Sequence, residues 1–327
     1  MHLEKQSEAQ TVSILICSRD RRLDLEKIVD DLKRMKTVYP FDIVVVEETN
    51  DPRPIEGIRY FPHEVKDLGF AHARNLSIAQ ASSEIVVFVD DDCEIQAGWL
   101  DNLLRPFKDE SVAGLQGGVD VPEGTNAVGW AETLLGFPGG GVRRIILSGG
   151  DVQDTIEIST LNSAYRRRVI EAVGGFITRL KWGGEDYLLA KKACQHGRCL
   201  FVPDALVAHR TRGNLSSIWH WFVRRGRAEI GVVRARVYAE GGWTSVLRSS
   251  LMIKFFIISF LSLLFSFNLL YIWFLFFLFY TGLQFCRNLS IWKRSRAPLS
   301  AYLILPFVKL TMDIAADVGR LKEILRG

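Results

Sequence analysis

An uncharged stretch near the C-terminus constrains this chain more than any other feature. Residues 255–285, FFIISFLSLLFSFNLLYIWFLFFLFYTGLQF, contain no Asp, Glu, Lys or Arg. A helix that crosses a bilayer needs roughly 20 apolar residues, so the stretch is long for one span and short for two. A break at 266–268 would make a re-entrant or tight hairpin. The alternative, a buried helix pair in a soluble core, fits poorly because soluble helices carry polar residues on one face.

The net charge of +4 is unevenly distributed. Residues 204–327 sum to about +11 and residues 1–203 to about −7. We therefore expect an α/β domain at 1–215 and a basic, aromatic interface helix region at 216–250. A transmembrane or re-entrant hairpin follows at 251–286, and a basic membrane-associated segment at 287–327, in which 303–312 is a further apolar segment ahead of an amphipathic helix. Basic residues on both sides of the uncharged stretch favour cytoplasmic ends.

Three apolar runs in the N-terminal half predict β-strands: TVSILICS (11–18), FDIVVVEET (41–49) and EIVVFVDDD (84–92). Helical patterns at 19–35 and 71–82 separate them. Strands that are apolar on both faces and alternate with helices indicate a parallel sheet covered by helices. The glycine-rich segment 115–160 is interpreted as mixed and loop-rich.

Polar residues follow each of the predicted strands. Ser18 and Arg19 end the first strand, Glu47 and Glu48 the second, and Asp90–Asp92 the third. Ligands of parallel α/β sheets bind beyond the carboxyl ends of the strands, so these groups should converge on one crevice.

The Asp90–Asp92 triplet suggests a divalent metal site. Carboxylates are the hard oxygen ligands that Mg²⁺ and Mn²⁺ prefer. Asp90 and Asp92 would share a face if the strand continued, with Asp91 pointing away. The alternative is a solvated turn at the end of the strand.

The first 210 residues or so resemble a family 2 glycosyltransferase with the GT-A fold. Four motifs in order carry the resemblance: ILICSRDR, IVVVEETND, DLGFAHARNLSIAQASSEIVVFVDDDCEIQAGWL and GGFITRLKWGGEDYLLAKKACQHG. The resemblance implies a GT-A, Rossmann-like, mostly parallel sheet flanked by helices, with membrane helices after it. It also implies a nucleotide-diphosphate sugar donor and a Mn²⁺ or Mg²⁺ cofactor.

The resemblance also assigns residue roles. The expected metal set is Asp92, Asp90 and His209. Asp92 is the direct ligand, Asp90 lies nearer the ribose, and His209 completes the site, although a lone histidine is often structural. Glu47 stands where the family usually has Asp against the nucleobase. The nucleotide-sugar-binding set consists of Ser18, Arg19, Glu47, Arg74, Asp90, Asp91, Arg224 and Arg225.

The GGED segment supplies the expected catalytic base. The resemblance makes Asp186 the base and Glu185 the residue that positions the acceptor, although acids also favour the first turn of any helix. Trp182 either stacks on an acceptor sugar or packs in the core.

The basic and aromatic segment 216–238 has two interpretations. Arg224, Arg225 and Arg227 either clamp a diphosphate or lipid phosphate, or face anionic headgroups. The segment lacks the Gln-x-x-Arg-Trp motif of processive synthases, which argues against a polymerising enzyme.

The sequence thus predicts a membrane-attached inverting glycosyltransferase with its catalytic domain on the cytoplasmic side. Its partners would be the donor, a lipid-linked or glycan acceptor and membrane lipids, and not nucleic acid, because the crevice acids would repel phosphates without a metal. A polyprenyl-phosphate glycosyl synthase and a non-catalytic nucleotide-sugar-binding protein are the alternatives.

Overall fold

A computed structural model describes residues 11–66, 68–235, 242–264 and 268–326. The chain forms two compact units. Unit 1 comprises Met1–Pro122, Ser148–Arg179 and Glu185–Arg210, and unit 2 comprises Glu123–Leu147, Leu180–Gly184 and Thr211–Gly327. Three pieces of the predicted 1–215 domain, residues 123–147, 180–184 and 211–215, therefore belong to unit 2.

Unit 1 is built around one sheet. Its strands are β1 (Val12–Arg19), β2 (Phe41–Glu48), β3 (Arg59–His63), β4 (Ile85–Val89), β5 (Cys93–Ile95), β6 (Val112–Asp120), β7 (Gln153–Asp154), β8 (Asn162–Arg166) and β9 (Arg198–His209). The strand order among the described residues is β3-β2-β1-β4-β8-β6-β9-β5, with β7 paired to β9.

Helices cover both faces of this sheet, as the apolar strands require. They are α1 (Arg22–Arg34), α2 (Phe70–Gln80), α3 (Trp99–Leu104), α6 (Arg167–Val173) and α7 (Glu185–Ala193). Ile14 and Ile16 of β1 belong to a core shared with α1, whereas Leu15 belongs to a second core shared with Ala71 of α2. Alternate strand residues point to opposite faces, so β1 is buried on both sides.

The parallel arrangement predicted from the first three strands is confirmed. Strands β3, β2, β1 and β4 run parallel to one another. After β4 the sheet becomes mixed, because β8 pairs antiparallel with both β4 and β6, and β5 pairs antiparallel with β9.

The segment 115–160 is more regular than predicted. It contains most of β6 and the helices α4 (Ala127–Leu134) and α5 (Gly141–Ser148). Gly117 and Gly118 lie within β6, where an added Cβ would overlap the Asn162 side chain and the Pro203 carbonyl oxygen respectively. These glycines therefore permit close approach inside a strand, and do not mark a loop.

Unit 2 is helical. With α4 and most of α5 it contains α8 (Leu215–Arg234), α9 (Gly242–Ser249), α10 (Leu251–Leu264), α11 (Leu269–Lys293) and α12 (Leu299–Ile324). Its apolar core joins Ala131 and Leu134 of α4, Ile218 and Phe222 of α8, and Leu305 of α12, among others.

Helices α11 and α12 are long and apolar enough to cross a membrane, and the pair α9 and α10, bent by 65°, passes the same test only when taken together. Of the predicted break at 266–268, residues 266 and 267 lie outside the described residues; α10 ends at Leu264 and α11 begins at Leu269. The predicted apolar segment 303–312 and the amphipathic helix after it form one continuous helix, α12.

Candidate active site

The carboxyl ends of β1, β2 and β4 bring the predicted polar groups to one edge of the sheet. Ser18 lies opposite Glu47 and Arg19 opposite Glu48 in the parallel β1–β2 register. Strand β4 ends at Val89, and the Cys93 amide then donates to the Asp90 carbonyl (3.2 Å). The triplet therefore forms a turn, and the alternation expected of a continuing strand does not apply to it.

Asp91 points into the protein. Its carboxylate accepts a hydrogen bond from Ser18 Oγ (2.7 Å) and lies 2.8 Å from Arg21 Nη2. Only 1% of the residue is exposed. Burial raises the pKa of Asp91 to about 7, although Arg21 and Ser18 oppose the shift. Asp91 thus has partners within the protein, and so does Ser18.

Asp92 is the aspartate that meets a histidine. Arg21 Nη1 donates to its Oδ2 (2.6 Å), and His209 Nε2 lies 3.2 Å from its Oδ1. His209 comes to this place because it ends β9, where it pairs with Cys93 of β5. Burial opposes ionisation of Asp92, but His209 and Arg21 outweigh it and hold the pKa of this carboxyl below its ordinary value.

Asp90 has a third environment. Its side chain is half-buried, and burial raises its pKa while the attraction of Arg74 opposes the rise. The three successive carboxylates therefore differ in their partners, and Asp92 alone among them has a lowered pKa, whereas the pKa values of Asp90 and Asp91 are raised.

A divalent cation fits the pair Asp92 and His209. The ligand atoms of Asp92, Cys93 and His209 all lie within 4.8 Å of one another, and this group of described residues does not include Asp90. Asp92 Oδ1 is buried and faces His209 Nε2 at 3.2 Å, and both atoms could ligate a cation in place of that contact. A carboxylate oxygen and an imidazole nitrogen suit Mn²⁺, and the oxygen suits Mg²⁺. Burial raises the pKa of the Cys93 thiol well above its ordinary value, so the sulfur stays neutral and is a poor ligand for these ions.

Glu47 lies in a polar pocket at the end of β2. Its Oε2 accepts hydrogen bonds from Tyr60 OH (2.5 Å) and Arg22 Nη1 (3.1 Å). Burial and the adjacent carboxylate raise the pKa of Tyr60 to about 12. Beside this pocket, half-exposed Arg19 extends its Nη1 to within 3.5 Å of Glu48.

The predicted residues Arg74 and Glu185 form a buried ion pair with each other. Glu185 begins α7 and Arg74 belongs to α2, where its guanidinium also lies over the rings of Phe70 (5.4 Å) and Phe176 (5.7 Å). Asp186, the next residue, is half-buried. Of the two acids, Glu185 is thus held by an internal cation and Asp186 is the more accessible.

The predicted residues Trp182, Arg224 and Arg225 belong to unit 2. Arg224 Nε donates to the Trp182 carbonyl (3.0 Å), and the Arg227 guanidinium carbon lies 3.5 Å from the centre of the Trp182 ring. Arg225 lies over Phe137, at 4.8 Å, and retains 45% side-chain exposure. The proposed roles of Trp182, Arg224 and Arg225 in binding therefore stay predictions.

Sequence reasoning missed Arg21, Arg22 and Tyr60. Arg21 and Arg22 come just after the end of β1, at the start of α1, so their position at the carboxyl edge was available as a signal. Tyr60 belongs to β3, a strand that was not predicted, and no signal for it was available.

Comparison with known proteins agrees with this geometry. Residues 13–174 match the sequence model of glycosyl transferase family 2. These residues form a glycosyl transferase family 2 domain. The pre-mycofactocin glycosyltransferase of Mycobacterium tuberculosis is 29% identical over 230 residues, which cover 65% of this chain and 45% of that protein. The chain thus spans under half of that relative's length.

Two further similarities cover more of the chain. The succinoglycan biosynthesis protein ExoM of Rhizobium meliloti is 25% identical over 259 residues, covering 72% of this chain and 77% of that protein. The solved structure of the mannosyltransferase PcManGT from Pyrobaculum calidifontis, in complex with GDP-Man and Mn²⁺, has a TM-score of 0.55 at 16% identity. The structural match covers 97% of this chain and 88% of the mannosyltransferase chain. This likeness shows the GT-A fold.

Proposed function

We propose that this chain is a membrane-attached, metal-dependent inverting glycosyltransferase. It would transfer one sugar from a nucleotide-diphosphate sugar to a lipid-linked or membrane-proximal acceptor on the cytoplasmic side. The observation that carries the proposal is the meeting of Asp92 and His209, 3.2 Å apart, at the carboxyl edge of a family 2 domain. The Mn²⁺ and GDP-Man held by the similar mannosyltransferase support it.

In this proposal Asp92 and His209 hold the cation. When bound, the metal would offset the charge of the diphosphate leaving group. Glu47, fixed by Tyr60 and Arg22, would accept hydrogen bonds from the nucleobase, and Arg19 and Asp90 would contact the nucleotide from the neighbouring strand ends. Ser18 and Asp91 would shape this site from behind through their mutual hydrogen bond.

Asp186 is the proposed general base. It would take the proton of the acceptor hydroxyl as the oxygen attacks the anomeric carbon and the diphosphate departs with the bonding electrons. Glu185, neutralised by Arg74, would position the first turn of α7. With one accessible carboxylate on this turn, direct displacement and therefore inversion is the expected outcome.

The first experiment is a donor panel. The full chain, purified in detergent, is given UDP-, GDP- and dTDP-sugars with Mn²⁺, with Mg²⁺ or with EDTA, and nucleotide release is measured. We expect one preferred donor, loss of turnover in EDTA, and at least about tenfold weaker Mn²⁺ binding by calorimetry in Asp92→Asn and His209→Ala.

The matched control is Asp109→Asn. Strands β6 and β9 run parallel, and the first residue of β6 lies opposite Arg198 at the start of β9. Asp109 comes just before β6, whereas His209 ends β9, so the two residues lie at opposite edges of the sheet. This variant should bind Mn²⁺ as the parent does. Turnover that is unaffected by EDTA, with Mn²⁺ binding unchanged in both site variants, would contradict the metal-dependent mechanism.

A polyprenyl-phosphate acceptor is the second candidate, favoured by Arg225 of α8, a cation that is 45% exposed and lies over the ring of Phe137. A phosphate acceptor needs no deprotonation. Asp186→Asn should slow transfer to a hydroxyl acceptor by about 10²–10⁴-fold. Transfer to a polyprenyl phosphate that is unaffected by this substitution would select the second candidate.

A further inference from the structure

We propose that α12 does not cross the membrane and instead lies in the plane of one leaflet, with α8 on its water-facing side. By length and composition α12 qualifies as a span, since its 26 residues make a helix of about 39 Å. Its close packing along the charged helix α8 argues against that orientation. The partner of the exposed surface of α12 is the interfacial region of a lipid bilayer.

The first argument is that α8 packs directly along α12. An added Cβ at Gly226 of α8 would overlap the carbonyl oxygen of Ala316, and one at Gly319 of α12 would overlap that of Val223. The two backbones are thus in close contact. Further along, Arg227 Nε donates to Glu323 (2.9 Å), so the contact continues to the last turn of α12.

The second argument is that α8 is not a membrane helix. Arg224, Arg225, Arg227 and Glu229 lie in its middle, while Ser216, Ser217 and His220 are exposed near its start. Charged side chains at the centre of a bilayer are strongly unfavourable. Because α12 lies alongside α8 and α8 must remain in contact with water, α12 must lie near the surface as well.

Both ends of α12 are connected to polar elements. Near its start, Arg294 Nη2 donates to the Ile146 carbonyl of α5 (2.7 Å). Near its end, Arg320 donates to Glu229 of α8 (2.6 Å) and to Ser249 Oγ (2.9 Å), directly before α10 begins. The end of α12 therefore lies close to the start of α10, where the apolar segment begins.

The exposed surface of α12 has the pattern of an in-plane helix. Its exposed large apolar residues recur at intervals of three, four or seven, which places them on one face: Leu299, Leu303, Phe307, Ile314, Leu321 and Ile324. The opposite face packs in the unit 2 core. In-plane helices bury one such stripe about 5–10 Å into the boundary between headgroups and acyl chains.

The charges agree with this placement. Lys293, Arg294 and Arg296 precede α12, and Lys322 and Arg326 lie at its end. Basic residues at both ends are typical of two cytoplasmic ends and attract anionic headgroups. The ion pair of Lys309 and Asp313, half-way along the helix, would lie at mid-bilayer in a span but beside headgroups in the plane.

The test is cysteine accessibility at the two ends. In a Cys286→Ser parent, Ser300→Cys and Lys322→Cys are exposed positions near the start and end of α12, and Lys108→Cys marks the side of unit 1. A membrane-impermeant maleimide is applied to spheroplasts and to inverted vesicles of expressing bacterial cells. We expect both ends to label only from the side on which Lys108→Cys labels.

A depth measurement decides the case in which neither end labels. A nitroxide on Phe307→Cys in phosphatidylcholine–phosphatidylglycerol vesicles should report the acyl–headgroup boundary, about 5–10 Å deep. Labelling of the two ends from opposite sides overturns the proposal. So does a nitroxide at the bilayer centre, about 15 Å deep. Neither readout depends on enzymatic activity.

Discussion

The ion pair between Arg74 and Glu185 predicts a large loss of stability when either partner is removed. The side chains are 11% and 5% exposed. Burial works against the charge on Arg74, but Glu185, followed by Asp90 and Asp186, outweighs it and raises the pKa of the guanidinium. The pair joins α2 to the first turn of α7, so its loss affects the segment that carries the proposed base.

The expected magnitude follows from the charge left behind. Removing one partner of a buried pair leaves an uncompensated charge and typically costs about 3–5 kcal/mol. Domains are stable by only about 5–15 kcal/mol, so Arg74→Met or Glu185→Gln alone removes a large share. The double variant leaves no buried charge and should lose less than the sum, with a coupling energy near the top of the usual range of about 0.5–3 kcal/mol.

Pulse proteolysis in urea measures these losses on the full chain in detergent micelles. The control is Arg53→Met, which breaks an ion pair whose side chains, Arg53 and Asp51, are 68% and 73% exposed. The control should change stability by less than about 0.5 kcal/mol. Single losses below about 1 kcal/mol, or single losses that add within about 0.5 kcal/mol in the double variant, would refute the reasoning.

Three further predictions concern other parts of the chain. Gly319→Ala should cost about 1–3 kcal/mol because its methyl group would overlap the α8 backbone; Gly282→Ala, whose Cβ would meet nothing within 4 Å, should be neutral or stabilising in the same thermal-shift assay. Tyr60→Phe removes a hydrogen bond to the Glu47 carboxylate and should raise the donor KM about tenfold or more with kcat retained. Since the pKa of Tyr60 is about 12, its hydroxyl stays protonated, and the ratio of the variant's donor KM to the parent's should be constant from about pH 6 to 9. A ratio that changes in this range would contradict the assignment. Asn162→Ala removes three buried hydrogen bonds and should cost more than about 3 kcal/mol, measured as a shift of the urea midpoint.

The parallel half of the sheet was predictable because its strands are apolar on both faces. Such runs, as in β1 and β4, have one stable environment, between two layers of helices. Strand β3 was not predictable because Arg59–His63 mixes polar, aromatic and proline residues and is only partly buried. Strand β6 was hidden by glycines, which the sequence assigns to turns while the fold uses them for close packing.

The convergence of the strand-end residues was predictable, but the pairing of their side chains was not. The carboxyl ends of parallel strands determine where Ser18, Glu47 and Asp90–Asp92 lie, whatever their partners. Pairs such as Arg74 with Glu185 join residues 111 positions apart, and the choice of partner depends on side-chain conformations that no spacing encodes. The same holds for Arg21, which turns back from the loop after β1 to the carboxylates after β4.

The partners of Asp91 and Asp92 suit these neighbouring carboxylates to different roles. Asp91 is surrounded by Ser18 and Arg21, and its raised pKa is that of a group whose charge is costly where it lies, which suits an internal support. Asp92 has a lowered pKa and a buried oxygen, Oδ1, that faces the imidazole of His209 at 3.2 Å. A group that remains ionised and retains a free lone pair is what a metal ligand requires. Arg21 is the guanidinium that contacts both Asp91 and Asp92. We infer that a bound cation would share Asp92 with Arg21, so Arg21→Gln should change Mn²⁺ affinity while leaving the ligands Asp92 and His209 intact. Calorimetry with Mn²⁺ alone measures this change, and an affinity equal to that of the parent would show that Arg21 acts on Asp91 only.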